Sequence, residues 1–136
     1  MVSQVAAEPS LAALEKMQML LAGSHVGDEG SLEVAEMLHL PGNRELHEIT
    51  NVQTILRLSP AFARIVEQGN REGLFSCDRP LETVQLLLTS TQFLLDGGLF
   101  SFSEAEQRAR REVAQSIIEK ALGAKPGSFG FMNPGP

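Results

Sequence analysis

At 136 residues the chain is long enough for one domain with a core and too short for two comfortable ones. A formal net charge of -6 and a pI near 5.0 argue against a nucleic-acid-binding surface, which needs clustered Lys and Arg. The single cysteine, Cys77, excludes an internal disulfide and a thiolate metal cluster and fits a reducing cytosol, so a cytoplasmic location is expected.

Leu, Ala, Glu and Gln abound and period-2 alternation is absent, which predicts an all-α fold of about six helices. The first residues lack the basic head and apolar run of a signal peptide. Pro9 and Ser10 mark the start of a helix carrying Leu11, Leu14, Met17, Leu20 and Leu21, which ends by Gly23. Residues 24–30 read as loop. Ser31 then caps a short helix with Leu32, Ala35, Met37 and Leu38, stopped by Pro41-Gly42.

A longer helix is predicted over residues 43–58. Leu46, Ile49, Val52 and Leu56 form its apolar stripe, and His47, Thr50, Asn51 and Thr54 a polar, mostly uncharged opposite side. Ser59-Pro60 reads as a restart, with Ala61, Phe62, Ile65 and Val66 carrying a new helix to about Gln68. In the stretch RIVEQGNREGLF, Gly69 and Gly73 are expected to turn the chain. Leu74 and Phe75 should anchor that turn, and Asn70, Arg71 and Glu72 should face water.

Asp78 and Pro80 start the next helix, which runs to Gly97-Gly98. Its longest charge-free segment, residues 83–95, is shorter than the ~20 apolar residues of a membrane span. Ser103 and Glu106 form a capping box for the last helix, and Gly123 stops it after Leu122. Residues 124–136 show no helical pattern and are expected to be an extended tail beyond a domain spanning residues 1–123.

The helix from Pro80 is apolar over more than one face. Val84, Leu88, Thr91 and Leu95 make one stripe, and Leu86, Leu87, Phe93 and Leu94 another. Either this helix is central in a monomer, or one stripe meets the core and the other a second subunit. The last helix supports the second reading with its row Ala105, Ala109, Val113 and Ile117, suited to close approach across an isologous interface.

His25, His39 and His47 show no i, i+4 pairing, and no phosphate loop, nucleophile elbow or paired-Cys motif appears. No metal, no cofactor and no enzyme activity are expected. The charges from Glu104 to Glu112 read as a self-neutralising wet face. The side bearing His47, Asn51 and Thr54 either lines a pocket or makes structural hydrogen bonds. Met17, Met37, Phe62 and Phe93 are core by default, yet of the type an adaptable apolar pocket presents. A helix-turn-helix over residues 31–58 is an alternative, opposed by Arg44 and Arg57 standing against Glu33, Glu36, Glu45 and Glu48.

From about Asn43 to Phe129, the segments NRELHEI, SPAFARIVEQGNREGLFSCDRPLETVQLLL and ALGAKPGSF resemble the C-terminal ligand-binding and dimerisation domain of TetR-type transcriptional regulators. The resemblance implies an all-α domain whose last two long helices pair into an intermolecular four-helix bundle, giving a homodimer. It also implies a pocket for a small, mostly apolar or amphipathic effector. The residues expected at the pocket are Met17, Leu20, Met37, His47, Asn51, Thr54, Phe62, Ile65 and Phe93. Those expected at the dimer interface are Thr83, Leu86, Leu87, Ser90, Leu94, Ala105, Ala109, Val113 and Ile117.

Members of this family carry a helix-turn-helix domain before this region. Residues 1–8 look like the tail of the helix that joins the two domains, so DNA contact is expected only through a segment absent from this sequence. A shortened chain, proteolysis or a misplaced start would each produce it. The alternative from another class is a structural or interaction protein that pairs without a ligand.

Overall fold

A computed structural model describes residues 2–23, 44–96 and 100–134. Among them the regular structure is all helical, with no strand. The helices are α1 (Val2–Ala7), α2 (Ala13–Gly23), α3 (Arg44–Glu72), α4 (Pro80–Thr91) and α5 (Glu104–Leu122). A π-helical turn, Gln92–Asp96, prolongs α4, and a 3-10 turn, Gly130–Met132, follows α5. The expected short helix at residues 31–38, together with Met37, His25, His39 and the Gly97-Gly98 stop, lies outside the described residues.

The first expected helix is two. Pro9 and Ser10 sit in a turn, where the Ser10 hydroxyl donates to Glu8 Oε1 at 2.9 Å and so does not cap α2. That helix is capped from across the fold. Glu72, at the end of α3, accepts the backbone N–H of Ala13 at 2.9 Å and the Gln68 amide at 2.7 Å. The Ala13 bond, then the Gln68 bond, with the charges of Lys16 and Arg71 nearby, hold the Glu72 carboxyl below its ordinary pKa.

Lys16 is only 2% exposed. Its ammonium donates to the Ala6 carbonyl at 2.8 Å, near the C-terminal end of α1, and to Gln68 Oε1. Gln68 in turn donates to the Leu11 carbonyl at 2.9 Å. A buried cation is tolerated where acceptors replace its lost water, and here the acceptors tie α1, the α1–α2 turn and α3 together.

The expected break at Ser59-Pro60 is absent: α3 is one helix of 29 residues with Pro60 inside it. An interior proline removes one backbone bond at a cost of about 3 kcal/mol, so packing must offset it. Ser59 is fully buried and its hydroxyl accepts from the Gln85 amide of α4 at 3.3 Å, while Ala61, Phe62, Ile65 and Val66 are all buried just beyond. A local stop signal is overridden by tertiary contacts. Residues 44–58, the expected recognition helix of the helix-turn-helix alternative, are therefore the first half of this continuous rod.

The two glycines after it do different work. Gly69 is still helical, and a Cβ there would lie 2.1 Å from Cδ2 of Phe75, so the ring packs directly on the bare backbone. Gly73, with φ 79°, makes the turn after Glu72. Phe75 is buried as expected, whereas Leu74 is exposed. Asn70 does not simply face water, because its side chain accepts from Cys77 N–H and donates to Cys77 C=O, both at 2.9 Å, holding the loop to α4 in place. Asp78 is not the cap of α4: Arg79 occupies that position without a side-chain bond, and Pro80 takes the first turn.

At α5 the local chemistry agrees with the sequence. Ser103 accepts from Glu106 N–H and Glu106 accepts from Ser103 N–H, and Gly123 ends the helix at φ 66°. The segment after Gly123 corrects the expectation of an extended tail. Phe129 is fully buried, its ring 5.9 Å from Phe75 and 5.3 Å from Phe131, because three large apolar residues near the end of the chain gain more by packing than by fraying. Asn133 fastens this segment to α5 by donating to Arg111 C=O at 3.0 Å and to Gln115 Oε1 at 2.9 Å.

Candidate ligand cleft

One carboxylate organises the C-terminal segment around the site. Glu119 is buried, and its Oε2 accepts from Phe129 N–H at 2.9 Å and from the Gln115 amide at 3.0 Å. Burial works to raise its pKa. The bonds from Phe129, Gln115 and the Gly127 N–H outweigh burial and leave it below the ordinary value. Phe129 and Met132 are thereby brought against helices far away in sequence.

The cleft they help to form has a volume of about 120 Å³. Met17 and Leu21 come from α2, Phe62 and Val66 from α3, and Val84, Leu87, Leu88 and Thr91 from α4. Leu95 of the π-helical turn, Ile118 and Leu122 of α5, and Phe129 and Met132 complete the apolar wall. Among the described residues two with polar side chains join it: Thr91, which donates its hydroxyl proton to the Leu87 carbonyl at 2.9 Å, and the cationic Arg111. An apolar cavity with a few convergent polar groups is the usual form of a small-molecule site.

Of the residues expected at a pocket, Met17 and Phe62 line this cleft. Leu20 and Ile65 do not; both are closed into the core, Ile65 with no exposure at all. Asn51 and Phe93 line a separate shallow groove of about 210 Å³ between α3 and α4, with Val52, Ile55, Leu56, Thr89 and Gln92. Thr54 bonds the Thr50 carbonyl of its own helix at 2.8 Å. The backbone of His47 lies in α3, but its side chain falls outside the described residues. The geometry therefore divides the expected set between a cleft, a groove and the core.

Sequence reasoning missed Arg111 and the C-terminal residues. Arg111 was hidden in a run of alternating charge, and Phe129 and Met132 in a Gly- and Pro-rich stretch. The usable signal was the spacing of Phe129, Phe131 and Met132, since a solvated tail has no need of three large apolar side chains.

Most of the expected interface residues are exposed, and five of them share a groove. A third groove, of about 290 Å³ between α4 and α5, includes Leu87, Ser90, Leu94, Val113 and Ile117. Leu86 is 73% exposed, and Ala105, Ala109, Val113 and Ile117 are all exposed along one row of α5, while Thr83 is half-buried. Near the start of that helix Phe93 meets Phe100 edge to face, Phe100 stacks on Phe102, and the Arg110 guanidinium lies 3.9 Å over the Phe102 ring.

Among the described residues no helix is long and apolar enough to cross a membrane, and no group of three or more His, Cys, Asp or Glu is placed to hold a metal. A comparison with curated proteins finds no match. A family model described as tetracyclin repressor-like, C-terminal domain, matches residues 29–116, which include α3, α4 and most of α5. The chain therefore belongs to the tetracycline-repressor-like C-terminal domain family, a regulatory and non-enzymatic family of all-α domains.

Proposed function

We propose that this chain is the effector-binding and dimerisation unit of a TetR-type transcriptional regulator, with no DNA binding of its own. The observation that carries the reading is the cleft of about 120 Å³, walled by residues from four elements and by the segment around Phe129. A ligand there contacts α2, α3, α4 and α5 at once. In the parent protein it would favour one arrangement of the paired DNA-binding heads by differential stabilisation, which is what changes DNA affinity.

Dimerisation is supported by the uncovered apolar surface along Leu86, Leu94, Val113 and Ile117. Two copies joined there would form an intermolecular four-helix bundle. Leu87 also lines the cleft, so Leu86 and Ile117 offer the cleaner test. Replacing both by Glu is expected to give monomers by light scattering while the helical circular dichroism is kept. A soluble dimer from this double variant would place the interface elsewhere.

A second reading, a structural or interaction protein that pairs without a ligand, is favoured by the cleft's size, below the ~300 Å³ lower end for drug-sized ligands. Thermal melting separates the two, since a ligand of the folded state raises Tm in proportion to its occupancy. A rise with small amphipathic compounds that is lost in Phe62→Trp, which fills the cleft, supports effector binding. Strong pairing with no compound that shifts Tm supports the second reading.

A further inference from the structure

We infer that the cleft selects an amphipathic monocarboxylate, a single ring or short chain entering the apolar space and its carboxylate held at the rim by Arg111. This deepens the effector-binding reading and rests on it. Apart from Thr91 and Arg111, the described wall residues, among them Met17, Phe62, Leu88 and Phe129, offer hydrocarbon and sulfur, so the ligand's body must be apolar. The volume of about 120 Å³ lies somewhat below the ~150 Å³ of an apolar cavity that takes up benzene. One ring or its equivalent is a body of the size this space accommodates.

The charge of the head follows from what the nearby groups are already doing. Arg110 lies over Phe102 and donates to the Glu106 carbonyl at 2.9 Å. The Glu106 carboxylate is held by Ser103, and the Glu119 carboxylate by Phe129 and Gln115. Arg111 uses only its backbone carbonyl, toward Asn133, and its guanidinium has no hydrogen bond or ion pair among the described residues. Thr91 has its proton committed to Leu87, which leaves its hydroxyl oxygen as an acceptor and not a donor for an anion. Among the described residues the unpaired charge at the cleft is thus one planar guanidinium fork whose geometry matches a carboxylate. Because Arg111 is exposed, the head keeps part of its water and avoids the cost of burying an anion.

The test is calorimetric titration of the full chain with 3-phenylpropanoate and with the uncharged 3-phenylpropan-1-ol, for the natural sequence, Arg111→Gln and Arg111→Lys. The carboxylate is expected to bind tighter than the alcohol by about fivefold, the upper end for a solvent-exposed ion pair. Arg111→Gln should bring the ratio to one with the alcohol's Kd unchanged, and Arg111→Lys should retain part of the preference. Raising the salt to about 1 M should weaken the carboxylate alone. Thermal melts check that each variant folds. Equal binding of both probes to the natural sequence overturns the role of Arg111 while leaving the cleft as a binding site. A preference that survives Arg111→Gln overturns it as well. Failure of both probes to bind overturns the cleft reading on which this one stands.

Discussion

On the N-terminal half of α3, Leu46, Ile49, Val52 and Leu56 are all exposed, whereas past Pro60 of the same helix Ala61, Phe62, Ile65 and Val66 are all buried. Both halves have apolar residues at helical spacing, and both belong to one unbroken backbone. The difference lies in what stands opposite among the described residues. In the second half Phe62 and Val66 line the cleft beside residues of α2, α4 and Phe129, and the polar residues Gln68, Asn70 and Glu72 fasten the α1–α2 turn, the loop before α4 and the start of α2. In the first half, Thr50 and Thr54 bond their own helix. Periodicity thus says which residues share a face, and only the partner elements say whether that face is core.

If the second half anchors the domain, the largest effect belongs to Ile65→Ala, which leaves a cavity at a position with 0% exposure. A loss of about 3 kcal/mol is expected from urea unfolding followed by circular dichroism, the natural probe for a chain with no Trp or Tyr. A loss under about 1 kcal/mol would show that the core tolerates the cavity and that the contrast between the halves is shallow.

Gly69→Ala comes next. Its new methyl would overlap the Phe75 ring, so about 2 kcal/mol of overpacking cost is expected. Adding Phe75→Leu should recover part of the loss relative to Phe75→Leu alone. Strict additivity of the two substitutions would mean that the glycine serves something other than the ring.

Glu119→Gln tests the C-terminal fastening of the same half. The folded-state pKa of Glu119 is held below its ordinary value, so its contribution is present above the unfolded value of about 4.3 and is lost as pH falls through the folded value. The variant should lose about 1.5 kcal/mol near neutral pH, the lower end for a bond to a charged group. It should also show a flatter decline of stability on the acid side. An unchanged acid slope would assign that decline to other carboxylates, Glu72 first among them.

Leu56→Ala should change stability by less than about 0.5 kcal/mol, because Leu56 is 56% exposed. A larger loss would reveal a cover for the first half of α3 and remove the contrast.

The parts of the fold legible in the sequence are those decided by neighbouring residues. Ser103 with Glu106 and Gly123 act within a turn of the chain, and their spacing alone specifies both ends of α5. Pro60 is the opposite case: its local meaning is a stop, and Ser59, Gln85 and the buried residues that overrule it are brought together only by folding. The cleft divides in the same way. Met17 and Phe62 stand at readable core positions, but Arg111 becomes part of the wall only because α5 docks beside α4 and the segment held by Asn133 and Glu119 folds back. No spacing rule links residues 17, 62, 111 and 129.

Phe129 gives the molecule a built-in order of completion. Every other described member of its hydrophobic core, from Ala6 to Leu122, precedes it in the chain. Synthesis proceeds from the N-terminus and domains fold as units, so this core cannot close until residue 129 has been made. A product that stops short of Phe129 would carry all five described helices and still lack the ring that packs among them. The cell would meet such a fragment as a helical but unsealed protein, open to the proteases that remove incomplete chains.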